Sequence, residues 1–265
     1  MTDYNLENAP GAAILIAHQS NIILSKGYGL TNINEGTKIN NQTNFRLASI
    51  TKQFTAMSIM ILKQRGQLDY EQTLTEFFDG FPTFGSSITV RHLMNHTSGL
   101  IDYFSLISDT TTEQLNDLDV LELMRSQTTT YFIPGNEYRY SNSGYALLAL
   151  IVENISGLNF AEFLDINIFT PLGMNGSVAF EEGISTIDHR AYGHSYNNNE
   201  YFLDDQSMTS AVLGDGGIYA SIQDLYWWDL SLNNSDLIDQ NTQMEAFTPG
   251  RLNNGEEIDY GFGWV

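Results

Sequence analysis

The segment RLASITKQF, residues 46–54, carries a serine and a lysine whose spacing suits nucleophilic catalysis. Ser49 and Lys52 are three positions apart, so on a helix their side chains share a face and the amine can reach the hydroxyl. A lysine acts as a base only when it is neutral, which at pH 7 requires its pKa to fall by roughly three units, or about 4 kcal/mol. A helix dipole contributes about 0.3–1 kcal/mol and at most ~2 kcal/mol. Burial or a second positive charge must therefore supply the rest.

A Ser-x-x-Lys match is weak by itself. The alternative interpretation is a serine that caps a helix, followed by an exposed lysine, and an isolated match favours that alternative. If Ser49 does begin a helix, the backbone N–H groups there point at it and can stabilise negative charge that develops on a substrate oxygen.

A second set of candidate residues, Tyr140-Ser141-Asn142, lies in PGNEYRYSNSGY. The turn residues before it and the helix predicted to start near Ser143 place it on a loop at a helix entrance. Tyr140 could relay a proton if a cation such as Lys52 lowered its pKa. Asn142 offers a donor and an acceptor for positioning an amide. The alternative is a polar turn with a packed tyrosine.

The elements around these residues predict an α/β fold. AAILIA (12–17) and NIILSKGYG (21–29) read as a hairpin with a tight turn at 19–21, and an apolar helix runs from near Ser49 to about Gly66. Short helical pieces follow, including a helix at 143–157 with Ser143 as N-cap, before a Gly-rich segment, a Trp-rich helix and a strand-like DYGFGWV. We expect a sheet region formed by 1–60 and 205–265, and a mainly helical region at 61–204.

Composition excludes several classes of function. The net charge of -21 argues against nucleic acid and anionic membranes as partners, because both would be repelled. The absence of cysteine excludes disulfides and thiol nucleophiles. No apolar run has the length of a membrane span, and MTDYNLENAPG does not show the charged-then-apolar pattern of a signal sequence. The compartment and the oligomeric state stay open.

Three other features favour structural roles. His92 and His96 have a spacing that can bind zinc, but no HExxH pattern accompanies them, so we expect neither a metal nor a cofactor. GDGG at 214–217 does not have the spacing of a phosphate loop and is expected to be a backbone turn near the pocket. The aromatic cluster at 226–228 is expected to pack within the protein rather than to bind a ligand.

Taken together, the motifs resemble the penicillin-recognising serine hydrolases. FRLASITKQFTAMSIMILKQRGQLDYEQTL, VRHLMNHTSGL, PGNEYRYSNSGYALLALIVENISG and TPLGM occur in that family's order, and the likeness runs from PGAAIL to YGFGW. It is strongest to the class C β-lactamase branch, with its related carboxylesterases and D-alanyl-D-alanine peptidases. The resemblance implies an antiparallel sheet flanked by helices beside an all-helical region, with the site between them.

The resemblance also implies roles for individual residues. Ser49 would be the acylated nucleophile, and Lys52 and Tyr140 its proton-transfer partners, with the division between those two left open. Asn142 would contact substrate or Lys52, and the Ser49 backbone N–H would form half of the oxyanion hole. The implied substrate is a β-lactam, an ester or a peptidoglycan-like D-Ala peptide. The alternatives are a penicillin-binding sensor that acylates without turnover, and an inactive scaffold.

One departure from the family concerns its third motif, Lys-Thr-Gly or His-x-Gly, on a strand that follows a segment like DYGFGWV. The sequence has no lysine after Lys63, and neither His189 nor His194 is followed two residues later by glycine. We therefore expect a C-terminal truncation that removes the second oxyanion donor. Loss of one such donor costs about 2.7–4 kcal/mol in a well-studied enzyme, so weak or absent activity is expected for these 265 residues.

Overall fold

A computed structural model describes residues 8–108 and 110–265 of the chain. It combines small antiparallel sheets with helices that form the core. The strands are β1 (Ala12–His18), β2 (Asn21–Tyr28), β3 (Phe45–Arg46), β4 (Val178–Ala179), β5 (His194–Asn197), β6 (Glu200–Leu203) and β7 (Ile218–Ala220). The helices are α1 (Thr51–Gln64), α2 (Leu74–Phe77), α3 (Val90–Met94), α4 (Asp117–Arg125), α5 (Asn142–Ser156), α6 (Phe160–Leu164), α7 (Thr170–Leu172), α8 (Leu213–Gly216), α9 (Ile222–Ser231) and α10 (Gln240–Phe247).

The predicted N-terminal hairpin is confirmed. β1 pairs antiparallel with β2, and a bulge between Ile16 and Ala17 shifts the register near the turn. Gln19 and Ser20 form the turn with φ values of 48° and 59°. Two consecutive residues with positive φ are typical of the turn whose twist matches that of the flanking strands.

A three-stranded antiparallel sheet supports the segment that contains Ser49. β7 is its central strand and pairs with β3 on one side and β4 on the other. The Leu47 N–H donates to the Ile218 carbonyl at 2.8 Å, which extends the pairing just past β3. The chain therefore enters the Ser49 turn from a fixed strand end. A separate hairpin is formed by β5 and β6.

Helices α1 and α5 form the centre of the core. Eleven residues of α1 are buried, and α5 is buried without a break from Ser143 to Val152. Helices that are apolar around their whole circumference are typical of a core position. The two helices pack against each other and against α8, which places the first turns of α1 and α5 close together.

Aromatic stacking joins α1 to α9. Phe54 is fully buried, and its ring lies 4.2 Å from the Trp228 ring in a stacked arrangement and 5.9 Å from Phe169 in an edge arrangement. Trp228 is 3% exposed, whereas Trp227 is 40% exposed. The expected packing role of the aromatic cluster is therefore confirmed for Trp228.

Replacing Phe54 with alanine should lower the free energy of unfolding by about 3–5 kcal/mol, because it removes a buried ring and leaves a cavity between α1 and α9. Phe54→Leu fills part of the space and should cost less. Chemical denaturation followed by tryptophan fluorescence measures both. Equal stability of the alanine variant and the unmodified protein would contradict the packing described here.

Two sequence-based predictions of local structure are wrong. The N-cap of α5 is Ser141 and not Ser143. The Ser141 hydroxyl makes no capping hydrogen bond; the Asn142 N–H at the start of the helix donates to Asp102 Oδ2 instead, and the Ser143 hydroxyl binds the loop at 101–103. The terminal segment at 259–265 does not form the expected strand. It turns at Gly263, whose φ is 89°, and the Phe262 N–H donates to the carbonyl of Ala246 in α10. A β-carbon at Gly263 would lie 3.0 Å from the Lys52 carbonyl oxygen, so the turn packs directly on α1.

Among the residues that the structure describes, no single helix has the length and apolar character needed to cross a membrane. Asn142–Ser156 and Phe160–Leu172 meet the length and composition criteria as a pair, with a bend of 78° between them. The division of the chain into a sheet region and a helical region stays a prediction.

Candidate active site

Ser49 lies on a tight turn between β3 and α1. Ala48–Ile50 form one turn of 3₁₀ helix, and α1 begins at Thr51, two residues later than the sequence predicted. Ala48 has a φ of 47°, a left-handed conformation that costs an alanine about 1–2 kcal/mol. Backbone strain of this kind persists where the surrounding structure enforces it and is common at functional sites. The result is a solvent-exposed Ser49 at the end of a buried helix.

Lys52 is buried in the first turn of α1, with 1% of its surface exposed. Its Nζ atom donates to three oxygen atoms: Asn142 Oδ1 at 2.8 Å, the Asp215 carbonyl at 2.9 Å and Ser49 Oγ at 3.3 Å. These acceptors come from three separate parts of the chain. The amine is therefore held at a single point beside the serine.

Burial lowers the pKa of Lys52 to about 8, although the nearby carboxylates of Asp215 and Asp102 act in the opposite direction. Loss of solvation disfavours the charged ammonium, whereas nearby negative charge favours it. The burial that the sequence analysis required for a basic lysine is thus present. A substantial fraction of the Lys52 side chains is neutral close to pH 8.

Asn142 is the first residue of α5, and Asp102 holds it in place. The Asp102 Oδ2 atom accepts from the Asn142 backbone N–H at 2.7 Å and from the Asn142 Nδ2 atom at 3.2 Å. The second interaction points the amide nitrogen at the carboxylate and leaves Oδ1 for Lys52. Asp102 also satisfies a backbone donor at the N-terminus of α5, where helices have free N–H groups.

Tyr140 faces Ser49 from the loop before α5. Its side chain is 39% exposed, and its ring lies 4.2 Å from the ring of His96 and 5.0 Å from Lys52 Nζ. Burial raises the pKa of the Tyr140 phenol, although its hydrogen bond with Ser49 acts in the opposite direction. A proton relay through Tyr140 was predicted on the condition that a nearby cation lowers this pKa, whereas burial raises it. Tyr140 is consequently a neutral hydrogen-bonding group near pH 7.

The imidazole of His96 packs against the ring of Tyr140. It is 1% exposed, and its Nδ1 atom accepts from the Ser141 backbone N–H at 3.2 Å. Burial lowers the pKa of His96 to about 3, and the charge of Lys52 contributes in the same direction. The imidazole is therefore neutral and fixes the loop that carries Tyr140. The Nδ1 atom of His92 accepts from the Thr89 N–H at the start of α3, so the two histidines do not share a site.

Asp215 is the buried acid of the GDGG segment, which forms α8 rather than an open loop. The Tyr103 hydroxyl donates to its Oδ2 atom at 2.8 Å. Burial raises the pKa of Asp215 to about 6, although Lys52 and the Tyr103 hydrogen bond favour the ionised form. Asp117, at the start of α4, accepts from the N–H groups of Leu213 and Gly214 at 2.8 and 3.0 Å and so anchors α8.

A small cavity of about 90 Å³ opens at Ser49. Its lining includes a cation and an anion, Arg46 and Asp215, together with Asn142 and Phe104. In the described part of the chain, cavities of about 410 and 470 Å³ also occur, but Ser49, Lys52, Tyr140 and Asn142 do not line them.

The structure thus brings together Ser49, Lys52, Tyr140 and Asn142, which the sequence analysis had singled out. Three further residues of this cluster, Asp102, Tyr103 and Asp215, were missed. No local signal distinguished Asp215, since aspartate and glycine are among the commonest residues of ordinary turns. No group of three or more histidine or acidic side chains suited to a metal ion occurs within residues 8–108 and 110–265.

Comparison with known proteins gives consistent matches. The family model described as Beta-lactamase matches residues 5–265. Penicillin-binding protein 4* of Bacillus subtilis is 38% identical over 266 residues, which cover 95% of this chain and 58% of that protein. The chain therefore spans little more than half of that relative's length.

Solved structures show the same fold. The crystal structure of a penicillin-binding protein from Bacillus halodurans superposes with a TM-score of 0.82 at 28% identity, covering 99% of this chain and 80% of that one. An octameric penicillin-binding protein homologue from Pyrococcus abyssi gives a TM-score of 0.78 at 24% identity, covering 95% of this chain and 59% of that one. The expected α/β, β-lactamase/transpeptidase-like fold is confirmed, and the chain belongs to the Beta-lactamase family.

Proposed function

We propose that the chain carries a serine hydrolase site that works through an acyl-enzyme on Ser49. The observation that carries the proposal is the position of Lys52, which is buried, has a lowered pKa and lies 3.3 Å from the Ser49 hydroxyl oxygen. A nucleophile within hydrogen-bonding reach of a base that a third group orients is the arrangement typical of covalent catalysis.

The number of hydrogens on Lys52 supports its role as a base. A neutral amine has two N–H bonds and one lone pair. Asn142 Oδ1 and the Asp215 carbonyl oxygen are acceptors only, so each takes one of the two N–H bonds. The lone pair is then left for the third neighbour, the Ser49 hydroxyl. The two acceptors therefore orient the neutral lysine to take the serine proton.

The reaction follows from these positions. As Ser49 Oγ attacks the substrate carbonyl carbon, its proton moves to Lys52 Nζ and the carbonyl π electrons move to oxygen. The Ser49 N–H lies in the first turn of a helix, where such groups have no intrahelical acceptor, and would donate to this oxyanion. When the tetrahedral intermediate collapses, the bond to the leaving group breaks. The leaving group takes a proton from Lys52, directly or through the neutral Tyr140 phenol. Water then attacks the ester and releases the acid and Ser49.

The substrate class is proposed from the family. The relatives at 38% and 28% identity are named penicillin-binding proteins, which supports acyl donors related to β-lactams and D-Ala peptides. Small esters fit the same chemistry, because the cavity at Ser49 is open to solvent. The alternative is a protein of the same family that is acylated and does not turn over.

Rapid-mixing experiments with an activated phenyl ester, a chromogenic cephalosporin and a D-Ala-D-Ala peptide separate these possibilities. A burst of one product equivalent per chain followed by steady turnover indicates a hydrolase. A burst without turnover, with an adduct that persists for hours, indicates a binding protein. No product release with any substrate after prolonged incubation, neither as a burst nor as steady turnover, would contradict the proposed function and favour an inactive scaffold.

The rate of Ser49 acylation should rise with pH and level off above about pH 8, because only neutral Lys52 can accept the proton and its pKa is about 8. At pH 6 the rate should be about a hundredfold below the plateau, since about 1% of Lys52 is then neutral. Acylation rate constants measured between pH 5.5 and 9.5 test this. A rate that is still rising at pH 9.5 without a plateau would instead indicate Tyr140 as the base, because burial raises the pKa of the phenol above its usual value.

A further inference from the structure

Two adjacent residues, Asp102 and Tyr103, make hydrogen bonds to the residues that position Lys52. Asp102 binds Asn142, and Tyr103 binds Asp215. Asp102 accepts from the Phe104 N–H at 3.0 Å at the start of a short 3₁₀ helix, Tyr103–Leu106. Its other oxygen, Oδ2, accepts from the Asn142 N–H, and the hydroxyl of Tyr103 donates to the carboxylate of Asp215. The dipeptide therefore makes hydrogen bonds to Asn142 and Asp215, the two residues besides Ser49 that accept from Lys52.

Asp102 determines which end of the Asn142 amide faces Lys52. In the observed orientation the amide nitrogen donates to Asp102 Oδ2 at 3.2 Å and the amide oxygen accepts from Lys52 at 2.8 Å. A flipped amide would place its oxygen against a carboxylate and its NH₂ group against an amine, so both hydrogen bonds would be lost. A carboxylate accepts hydrogen bonds and does not donate them, so it enforces one orientation. A neutral amide at position 102 could tolerate either.

Tyr103 plays the corresponding part for Asp215. It is fully buried, and its backbone N–H donates to the Ser143 hydroxyl at 2.8 Å, so its ring is fixed relative to α5. The hydrogen bond from its phenol to Asp215 Oδ2 then fixes α8, whose Asp215 carbonyl accepts from Lys52. The Thr55 hydroxyl donates to the neighbouring Gly214 carbonyl at 2.7 Å, which joins α8 to α1 as well.

We propose that Asp102 and Tyr103 form one positioning unit for the catalytic lysine, in which Asp102 sets the orientation of the Asn142 amide and Tyr103 sets the position of the Asp215 carbonyl and carboxylate. This inference rests on the proposed function, because it gives Lys52 the role of base. Neither residue needs to touch the reacting atoms. Both act through the groups that direct the Lys52 lone pair at Ser49.

The two carboxylates also adjust the strength of the base. Burial by itself would lower the pKa of Lys52 below about 8, and the negative charges of Asp215 and Asp102 counteract it. A base is most effective when its pKa lies near the working pH, because a weaker base accepts the proton less readily. The other titratable or charged groups near Lys52 and its partners include Asp117, which interacts with Asp215, as well as His96, Tyr140, Tyr145 and Arg46.

The test compares Asp102→Asn and Tyr103→Phe with matched controls remote from Ser49. Asp239→Asn alters an aspartate that likewise caps a helix, and Tyr226→Phe removes a buried tyrosine hydroxyl that donates to the Ser20 carbonyl. The acylation rate is measured as a function of pH. The Lys52 titration is followed independently by NMR of ¹³Cε-labelled lysine, since the chain has only four lysines to assign, Lys26, Lys38, Lys52 and Lys63.

Asp102→Asn should lower the plateau rate by roughly 10- to 100-fold through misplacement of the amide. It should also move the acid limb of the profile to lower pH by roughly one unit, because a negative charge that favours the ammonium is removed. Tyr103→Phe should also lower the plateau rate and move the acid limb to lower pH, but by smaller amounts, because the Asp215 carboxylate is kept and becomes harder to ionise. The NMR titration of Lys52 should move with the acid limb, and both controls should match the unmodified protein.

Asp102→Glu separates charge from position. The acid limb should stay where it is in the unmodified protein, while the plateau rate falls because the longer side chain cannot hold both Asn142 donors. A lowered plateau with an unmoved limb and an unmoved Lys52 titration in Asp102→Asn would overturn the proposal in favour of a merely structural role. Absence of any Ser49 acylation in the unmodified chain would instead count against the proposed function, and the NMR titration would still decide the positioning role.

Discussion

Replacing Ser49 with alanine is expected to remove the covalent step and to lower the rate of ester hydrolysis by up to about 10⁶-fold, the size of effect seen when a nucleophile that works as part of a catalytic unit is removed. The variant should fold normally, because Ser49 is exposed at the end of a helix and its hydroxyl is not part of the core. Steady-state hydrolysis of an activated ester measures the loss. Thermal unfolding checks that the fold is kept.

Ser126→Ala is the matched control for this variant. Ser126 is also exposed and also lies at the end of a helix, where its hydroxyl donates to the Leu123 carbonyl. Its replacement should leave hydrolysis unchanged. A Ser49→Ala variant that hydrolyses the ester as fast as this control would show that the nucleophile lies elsewhere.

Replacing Lys52 with methionine is expected to lower the acylation rate by about 10²- to 10⁴-fold, the usual contribution of a positioned general base. Methionine fills a similar volume without a basic nitrogen. Lys52→Arg should be equally impaired, although it keeps a positive charge, because a guanidinium does not lose its proton in proteins. The rate of burst-phase product release with an activated ester measures both variants.

The arginine variant is the informative one. If Lys52 acted only through its charge, for example by stabilising the oxyanion, Lys52→Arg would keep much of the rate and the base assignment would be wrong. Lys63→Met is the control, because Lys63 forms a surface ion pair with Asp69 at 2.7 Å, near the far end of the same helix. Its replacement should affect neither the rate nor, by more than about 1 kcal/mol, the stability.

The sequence allowed the nucleophile's half of the site to be predicted because that half is local. Ser49 and Lys52 are separated by less than one helical turn, so their proximity depends only on the backbone geometry of one segment. The contact between Lys52 and Asn142 spans 90 positions along the chain. No local pattern fixes such a contact, and its prediction came from the order of the motifs in a resembling family.

The properties of Lys52 could not be predicted because they depend on burial by other elements. From the sequence we inferred only that burial or a second positive charge must lower the pKa of Lys52 if it is to act as a base. The packing of α5 and α8 against α1 meets that requirement, while Asp215 limits the effect. Asp102 and Tyr103 were missed for a similar reason, since a polar residue on a loop resembles any other turn residue until the loop is docked against a helix.

Tertiary contacts explain the two wrong predictions of local structure. Ser143 is a good N-cap residue by type, but the helix begins at Asn142, whose N–H donates to Asp102 Oδ2, while the Ser143 hydroxyl binds the loop at 101–103. The segment at 259–265 alternates in a strand-like way, yet its glycines allow a close turn against α1 and α10. Tertiary contacts therefore override local preference at both places.

The most direct test of the proposed acyl-enzyme is to locate the acyl group on the protein. The chain is incubated at pH 8.5 with an activated ester and, separately, with a β-lactam, quenched in acid and analysed by intact-mass spectrometry and peptide mapping. We expect one added acyl group per chain, located on Ser49 and absent from Ser49→Ala. An adduct on another residue, or no adduct on Ser49 with either reagent, would contradict the proposal.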